Sequence, residues 1–310
     1  MKTEKLAILF NPSAGRGRAL RNKEALEKCL RRHEIPYDLF ITRSEEHLKE
    51  LTRECARTYR ALVGAGGDST FHLMVNEIVR GGAEANFGLI GLGSSNDIAR
   101  EFQAGTLEKA CRILKRGRGR KIDLGCIRVG QKPLRYFLGQ ANIGLGVFVN
   151  KYVAEMSFRK SWMEKRQTLA GALGIIDSYR SRKLPLRLVV ESERGRFEGE
   201  LAAAVFSNVR FWATGKIICP GANPDDGLLD GCLIKRCSVP RLAQIALLAS
   251  RGKHAMAKEV EILQSKIFEV ASNESFEVQT DGEILGESGR PARFHRITFA
   301  VMPRALSLLS

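Results

Sequence analysis

Three short polar segments of this 310-residue sequence contain residue types that bind and move phosphate. They are NPSAGRG from Asn11, GGDST from Gly66 and GSSND from Gly93. Glycines let backbone N–H groups approach an anion, and a following helix adds its positive end. For GAGG alone, a plain strand-to-helix turn is an equal alternative. The carboxylate of Asp68 would repel phosphate unless a divalent cation lay between them, so the segment favours Mg²⁺-assisted phosphate chemistry.

Each of these segments follows a predicted strand. Apolar runs predict strands at 6–10, 37–42, 61–66 and 87–93, and helical patterns lie near 19–33, 45–58, 70–80 and from Asn96 onward. This alternation predicts a parallel sheet covered on both faces. Because ligands bind at the carboxyl ends of such strands, three polar loops at that edge predict one site.

The pattern changes to short β-type runs from about residue 121. The stretch RYFLGQANIGLGVFV (135–149) is one such run, and helices are predicted near 161–181 and 239–251. Many strands separated by turn signals predict an antiparallel sandwich. We therefore expect an α/β domain over 1–125 and a β-sandwich domain over 126–299, with 300–310 packing back on the first domain.

Composition excludes several classes of protein. With 44% hydrophobic and 27% charged residues, the chain is not disordered. Its apolar runs are too short to span a bilayer, and the N-terminus lacks signal-peptide features. The seven cysteines show no zinc-type spacing, and histidines such as His33 and His254 are expected on surfaces without metal. These features predict a reduced, cytoplasmic protein.

A net charge of +16 predicts an anionic partner. Candidates are nucleic acid, an acidic membrane leaflet and phosphate-rich small molecules. Basic runs without interleaved aromatics, and without a known nucleic-acid motif, argue against specific nucleic-acid binding. Phe158, Trp162 and Met163 lie among basic residues and would suit interfacial docking, although a helix packed on its own sandwich is the alternative.

Five motifs together resemble the diacylglycerol-kinase catalytic domain family, in particular its soluble bacterial lipid kinases, with sphingosine and ceramide kinases as distant relatives. They are NPSAGRGRA (11–19), VGAGGDST (63–70), GLIGLGSSNDIAR (88–100), PGANPDDGLLD (220–230) and TDGE (280–283). They follow the family's order and spacing over nearly the whole chain. The resemblance implies ATP- and Mg²⁺-dependent phosphorylation of a diacylglycerol-like lipid in a cleft between the two domains.

The resemblance also implies the roles of individual residues. The general base would be Glu283, with Asp281 beside it, and acids that organise Mg²⁺ and water near the phosphates would be Asp68, Asp97 and Asp123. A second, structural Mg²⁺ site would use the carboxylate of Asp226 and the carbonyls of Leu229 and Gly231. ATP would contact Asn11, Pro12, Ser13, Ala14, Gly15, Thr42, Gly66, Gly67, Asp68, Ser69, Thr70 and Ser94.

Several positions depart from the family pattern. Ser69 replaces a glycine, which would cost about 1–2 kcal/mol if that position needs a positive φ, or would instead add a hydroxyl if it does not. His72 is either a new phosphate contact or a helix-surface residue. Ala213 and Thr214 replace a glycine pair. We expect an active but divergent kinase, with a catalytically weak member as an alternative.

NAD kinase and 6-phosphofructokinase share a similar glycine-rich loop and are competing interpretations. Neither is expected to open on NP-x-x-G after the first strand. We therefore expect a lipid substrate at an anionic membrane surface, peripheral membrane association, no specific nucleic-acid partner, and a homodimer as a possible assembly.

Overall fold

The computed structural model describes residues 2–159, 167–181, 183–287 and 290–310. The first domain alternates strands and helices, as its sequence predicts. Ser44 and Thr106 each accept the amide three residues ahead and so cap two of its helices. In chain order the elements are β1 (Thr3–Phe10), α1 (Arg18–Arg21), α2 (Lys23–Arg32), β2 (Tyr37–Ile41), α3 (Glu45–Thr58), β3 (Tyr59–Gly66), α4 (Asp68–Arg80), β4 (Asn86–Gly91), α5 (Asp97–Glu101) and α6 (Leu107–Arg116).

The second half of the chain is mainly β-structure. Its strands are β5 (Gly119–Val129), β6 (Lys132–Phe137), β7 (Gln140–Gly144), β8 (Leu186–Ser192), β9 (Gly195–Ser207), β10 (Phe211–Trp212), β11 (Lys216–Ile217), β12 (Leu229–Lys235), β13 (Val260–Ser265), β14 (Ile267–Phe276), β15 (Val278–Thr280), β16 (Glu283–Ile284), β17 (Gly286–Glu287), β18 (Arg290–Pro291) and β19 (Phe294–Leu309). Its helices are α7 (Leu145–Arg159), α8 (Gln167–Arg180) and α9 (Val239–Ala249), followed by a 3₁₀ turn at Lys253–Met256.

Strands β2, β1, β3 and β4 form a parallel sheet in that order, which β19 extends in parallel beyond β4. Most of the remaining strands form an antiparallel sandwich, and apolar side chains from both of its layers fill the interior. In that interior Phe206 stacks on Phe299 with ring centroids 4.3 Å apart. The predicted fold class, an α/β domain followed by a β-sandwich, is confirmed.

Strands β5 and β19 run through both domains. They pair with each other from Thr298 and Arg128, in the sandwich, to Leu309 and Gly119, beside the parallel sheet. The predicted boundary at 125/126 therefore falls inside a strand. The last residues of β19 lie next to β4 and fill a place in the first sheet.

One predicted strand is partly a helix. The run RYFLGQANIGLGVFV forms β6 and β7 but continues as α7 from Leu145. Gly144 adopts φ +85, and a Cβ there would lie 2.7 Å from the carbonyl oxygen of Ala202. A short apolar run of this kind fits a buried strand and a buried helix equally well, so its periodicity could not separate the two.

Among the described residues, no helix combines the length and apolarity required to cross a bilayer. His254 was expected on the surface but is buried. Its Nε2 atom lies 2.9 Å from the Ile218 carbonyl oxygen, which gives the buried ring a polar partner. The proposed docking residues 160–166 lie outside the described residues.

Candidate active site

Three loops meet at the carboxyl edge of the first sheet. The Asn11 side-chain amide donates to Thr70 Oγ1 over 3.0 Å and ties the loop after β1 to α4. The Leu92 amide donates to the Gly66 carbonyl over 2.7 Å and ties the loop after β4 to β3. Gly15, at φ +60, passes so near that an added Cβ would lie 2.7 Å from the Leu92 carbonyl oxygen. The structure thus brings the first three motifs together.

Exposed hydroxyl groups line this edge. Ser13, Ser69 and Ser94 are exposed, whereas Thr42 is buried and its hydroxyl donates to the Phe10 carbonyl over 3.2 Å. Ser69 is the second residue of α4 and is not among the described residues with positive φ. The strain considered for Ser69 is therefore wrong, because a right-handed helix accepts any L-residue. Its hydroxyl remains available at this edge.

Asp68 joins the first turns of two helices. Its carboxylate accepts the amides of Asp97 and Ile98, each over 3.2 Å, and so caps α5 while standing at the start of α4. Burial and the charge of Asp97 raise the pKa of Asp68 to about 7. Burial likewise raises the pKa of Asp97. Two acids crowded in a desolvated place favour a shared proton or cation.

Asp97 also connects the two domains. Its Oδ2 atom accepts the amide of Thr214 over 3.0 Å. To present that amide, the chain adopts φ values of +47, +68 and +91 at Ala213, Thr214 and Gly215. A β-branched residue at a positive φ is strained. The departure from a glycine pair is therefore accommodated at a cost in backbone energy.

Asp281 is held by four hydrogen bonds. Its Oδ1 atom accepts the amides of Gly139 and Gln140 over 2.8 and 2.9 Å, and Oδ2 accepts the amide of Leu138 over 2.9 Å. The fourth donor is Nδ1 of His72, 3.0 Å from Oδ2. Both partners are fully buried. Asp281 therefore fixes the TDGE hairpin against the first domain, in addition to its predicted place beside Glu283.

His72 is neither a phosphate contact nor a surface residue, so both expectations for it are wrong. It lies in α4 and has 0% exposure. Nη1 of Arg135 lies 3.2 Å from its Nε2 atom. Because a guanidinium can only donate and a carboxylate only accepts, Nε2 accepts from Arg135 and Nδ1 donates to Asp281. His72 thus links Arg135 to the hairpin through one hydrogen bond at each ring nitrogen.

Glu283 projects from the hairpin that Asp281 anchors. Asp281 and Gly282 adopt φ values of +48 and +97, as the two-residue turn between β15 and β16 requires. Glu283 is half-buried, and its negative charge acts on Arg135. Burial lowers the pKa of Arg135, and the charge of Glu283 opposes that shift. The position leaves a carboxylate facing the junction of the two domains.

Asp123 does not share the contacts of the other acids. Its Oδ2 and Oδ1 atoms accept the amides of Gly227 and Arg304, each over 2.7 Å. Asp123 therefore joins the 220–230 segment to β19, and the structure divides the predicted acidic network in two. The sequence could not reveal this, because both donors are backbone amides far from Asp123 in the sequence.

The predicted second Mg²⁺ segment lies beside Asp123. Burial is the main cause that raises the pKa of Asp226, and the charge of Asp123 adds to it. A hydrogen bond from the backbone amide of Leu228, over 3.0 Å, opposes the shift. Leu229 begins β12, and Gly231 lies within it between two paired strands. Metal binding here by Asp226, Leu229 and Gly231 stays a prediction.

Comparison with known proteins decides the family. Residues 5–127 match the model of the diacylglycerol kinase catalytic domain, and residues 139–310 match the YegS C-terminal NAD kinase beta sandwich-like domain. The chain belongs to the diacylglycerol kinase family. The resemblance inferred from five motifs is thereby confirmed.

Relatives of diacylglycerol kinase type align over most of this chain. A diacylglycerol kinase of Staphylococcus carnosus is 25% identical and covers 93% of this chain and 90% of its own. A diacylglycerol kinase of Mycobacterium tuberculosis is 28% identical, and the alignment covers 86% of this chain and 84% of that protein. A crystal structure of a Bacillus anthracis diacylglycerol kinase superposes with a TM-score of 0.71 at 15% identity, covering 100% of this chain and 97% of the other. This last likeness concerns the fold alone.

Substitutions at His72 test its link to the hairpin. His72→Leu removes a hydrogen-bond donor from a buried carboxylate, which should destabilise the fold by about 1–3 kcal/mol. It should also lower kcat by a larger factor than it changes the KM for ATP. His72→Asn keeps an N–H group near the position of Nδ1 and should restore most of both quantities. Denaturant unfolding and steady-state kinetics measure them. Equal behaviour of the two variants would show that the hydrogen bond to Asp281 has no role.

Thr214→Gly tests the strain beside Asp97. Glycine adopts positive φ freely, so this variant should be more stable by about 1 kcal/mol. Thr298→Gly, in the middle of β19, is the matched control and should lower stability. Chemical denaturation of both variants gives the comparison. A loss of stability in Thr214→Gly would contradict the strain.

Proposed function

We propose that this protein transfers the γ-phosphate of ATP to a hydroxyl of a diacylglycerol-like lipid, with Mg²⁺ as cofactor. The observation that supports this most directly is the junction of the two domains. There Asp68, Asp97 and Asp281 interact, and the hairpin with Glu283 is tied to the helix that follows the glycine-rich loop. Phosphoryl transfer depends on positioning and charge neutralisation, which such an arrangement supplies.

The loop edge supports ATP binding. The absence of side chains at Gly15, Gly66 and Gly67 lets the loops and the start of α4 pack closely together, and the exposed hydroxyls of Ser13, Ser69 and Ser94 offer donors to phosphate oxygens. The helix α4 begins at this edge with its positive end. The other predicted ATP-binding residues lie in the same segments, except Thr42, which follows β2 and is buried.

The chemistry of the acids fits Mg²⁺. Asp97 Oδ1 and Asn96 Oδ1 are buried and have no hydrogen-bond partner among the described residues, and both are hard oxygen ligands. They stand near Asp68, whose pKa is raised by burial and by the charge of Asp97. When bound, Mg²⁺ would neutralise charge on the phosphates. We assign Asp68 and Asp97, with Asn96, to holding it.

Glu283 is the proposed general base. It would accept the proton of the lipid hydroxyl as the new O–P bond forms, when that proton becomes acidic. Arg135 lies near enough for its charge to act on Glu283, and His72 holds Arg135. These residues keep the carboxylate on one side of the junction, while Asp281 fixes the turn from which it projects.

Glu283→Gln should retain ATP binding and lose transfer by about 100-fold or more, because general-base catalysis typically contributes that much. Glu274→Gln, an exposed position in the same sandwich, should leave transfer unchanged. The measurement uses labelled ATP with a lipid extract, and with NAD in a parallel tube.

Label in NAD alone would favour the NAD kinase interpretation and refute the lipid one. Label in neither substrate would favour a catalytically weak binding protein. If Glu283→Gln transfers label as well as the parent chain, Glu283 is not the base.

We further propose that the lipid is reached through an apolar–basic surface formed by Leu247, Leu248, Met256, Arg251 and Lys253. Leu247 and Met256 are 74% and 87% exposed, and the two basic residues beside them are exposed as well. Exposed apolar side chains flanked by cations suit an anionic membrane interface.

This apolar–basic surface adjoins the active-site segment. Gly252 packs near Ile217, and His254 contacts the carbonyl of Ile218. Strand β11 (Lys216–Ile217) directly follows the turn whose Thr214 amide binds Asp97. A membrane touching the surface would therefore lie next to the junction.

Substitution of both Leu247 and Met256 by Asp should abolish sedimentation with vesicles rich in phosphatidylglycerol, while activity on a short-chain, water-soluble diacylglycerol persists. Val129→Asp, at another exposed apolar position, is the control. Binding by the parent chain should weaken as salt is added. Undiminished vesicle binding by the double variant would place the membrane contact elsewhere.

A further inference from the structure

A cluster of metal-ligating side chains lies between helices α2 and α6, apart from the acids of the active site. Cys29 and His33 stand four residues apart at the end of α2, and Glu108 and Cys111 stand three residues apart in α6. Residues at these spacings lie on one face of a helix. Because α2 packs against α6, the two pairs face each other.

The distances within this cluster are short. His33 Nε2 lies 3.0 Å from Glu108 Oε1, and Cys29 Sγ lies 3.8 Å from Glu108 Oε2. The ligand atoms of these three residues all lie within 4.8 Å of one another. Cys111 follows Glu108 by three residues on the same face of α6 and is fully buried. Burial and a hydrogen bond with the Cys29 thiol raise the pKa of Cys111, so its thiol is a neighbour of Cys29. Cys111 thus adjoins the group of three and is not a member of it.

These separations, from 3.0 Å to at most 4.8 Å, bracket those of a tetrahedral metal site. Bonds of about 2.0–2.3 Å to zinc place ligand atoms about 3.3–3.8 Å apart. Two thiols, one imidazole and one carboxyl group are ligands that Zn²⁺ accepts, whereas Mg²⁺ and Ca²⁺ prefer oxygen alone. We propose that Cys29, His33, Glu108 and Cys111 bind one Zn²⁺ ion. This site is separate from the proposed kinase activity.

The charges around the cluster are consistent with this proposal. Two thiolates and the Glu108 carboxylate carry three negative charges, so a bound Zn²⁺ leaves one. Arg32 pairs with Glu108, and Nε of Arg112 lies 3.3 Å from Glu108 Oε1. Without metal these arginines occupy the carboxylate, and with metal they balance the remaining charge. Binding displaces the protons of both thiols to solvent.

No local sequence pattern indicates this site. Each half contributes only two ligands, C-x₃-H and E-x₂-C, and neither half matches a zinc motif. The expectation that the cysteines and His33 bind no metal was based on spacing within the sequence. Spacing does not reveal pairs that the packing of two helices brings together, and His33 is only 19% exposed.

The test titrates reduced, chelator-treated full-length protein with Co²⁺. A tetrahedral thiolate site should give a sulfur-to-cobalt charge-transfer band and intense visible bands, both removed by one equivalent of Zn²⁺. Zn²⁺ alone should raise Tm, because the ion binds only the folded pair of helices. Neither readout depends on kinase activity.

Variants assign the ligands. Cys29→Ser and Cys111→Ser should each lower the charge-transfer intensity, because one thiolate remains, and the double variant should lose the band, while Cys55→Ser, at a buried cysteine of α3, should keep it in full. Glu108→Gln, at a half-buried position, should weaken Zn²⁺ binding by about 10-fold or more.

Three results would overturn the proposal. They are a pale octahedral Co²⁺ spectrum, a charge-transfer band that survives in the double cysteine variant, and a Tm that Zn²⁺ does not change.

Discussion

The junction between the domains depends on one buried carboxylate. An ionised carboxylate can accept about four hydrogen bonds, and Asp281 receives four, three from consecutive backbone amides and one from His72. A buried charge is tolerated only when it is so satisfied. The position of the hairpin, and with it the direction of Glu283, follows from this single group. The first domain takes part because α4 supplies the imidazole.

Around this anchor the protein places acidic side chains in desolvated positions. Asp68 and Asp97 lie close together at the start of α4 and α5, and burial together with the charge of Asp97 raises the pKa of Asp68 to about 7. Such burial and crowding cost stability in the absence of a counter-ion. The same feature supports the proposed binding of a cation and phosphates at this place.

The sequence predicted those features that depend on the order of strands, helices and loops along the chain. Polar loops follow β1, β3 and β4, so their meeting at one edge could be foreseen from the alternation of strands and helices. The partner of His72 lies 209 residues away, and the donors to Asp123 are backbone amides 104 and 181 residues away, so no local pattern indicates either contact. The helix that replaces part of a predicted strand begins in an apolar run that suits both structures.

Strand β19 has a consequence for the order of folding. Among the described strands it is synthesised last, yet its final residues occupy a place between β4 and β5 in the sheet of the first domain. Until those residues have left the ribosome, β4 and β5 present open edges, which are prone to pair with other chains. The first domain is therefore begun before the sandwich and completed only with its last strand, and a protein cut at the apparent boundary would leave that sheet unfinished.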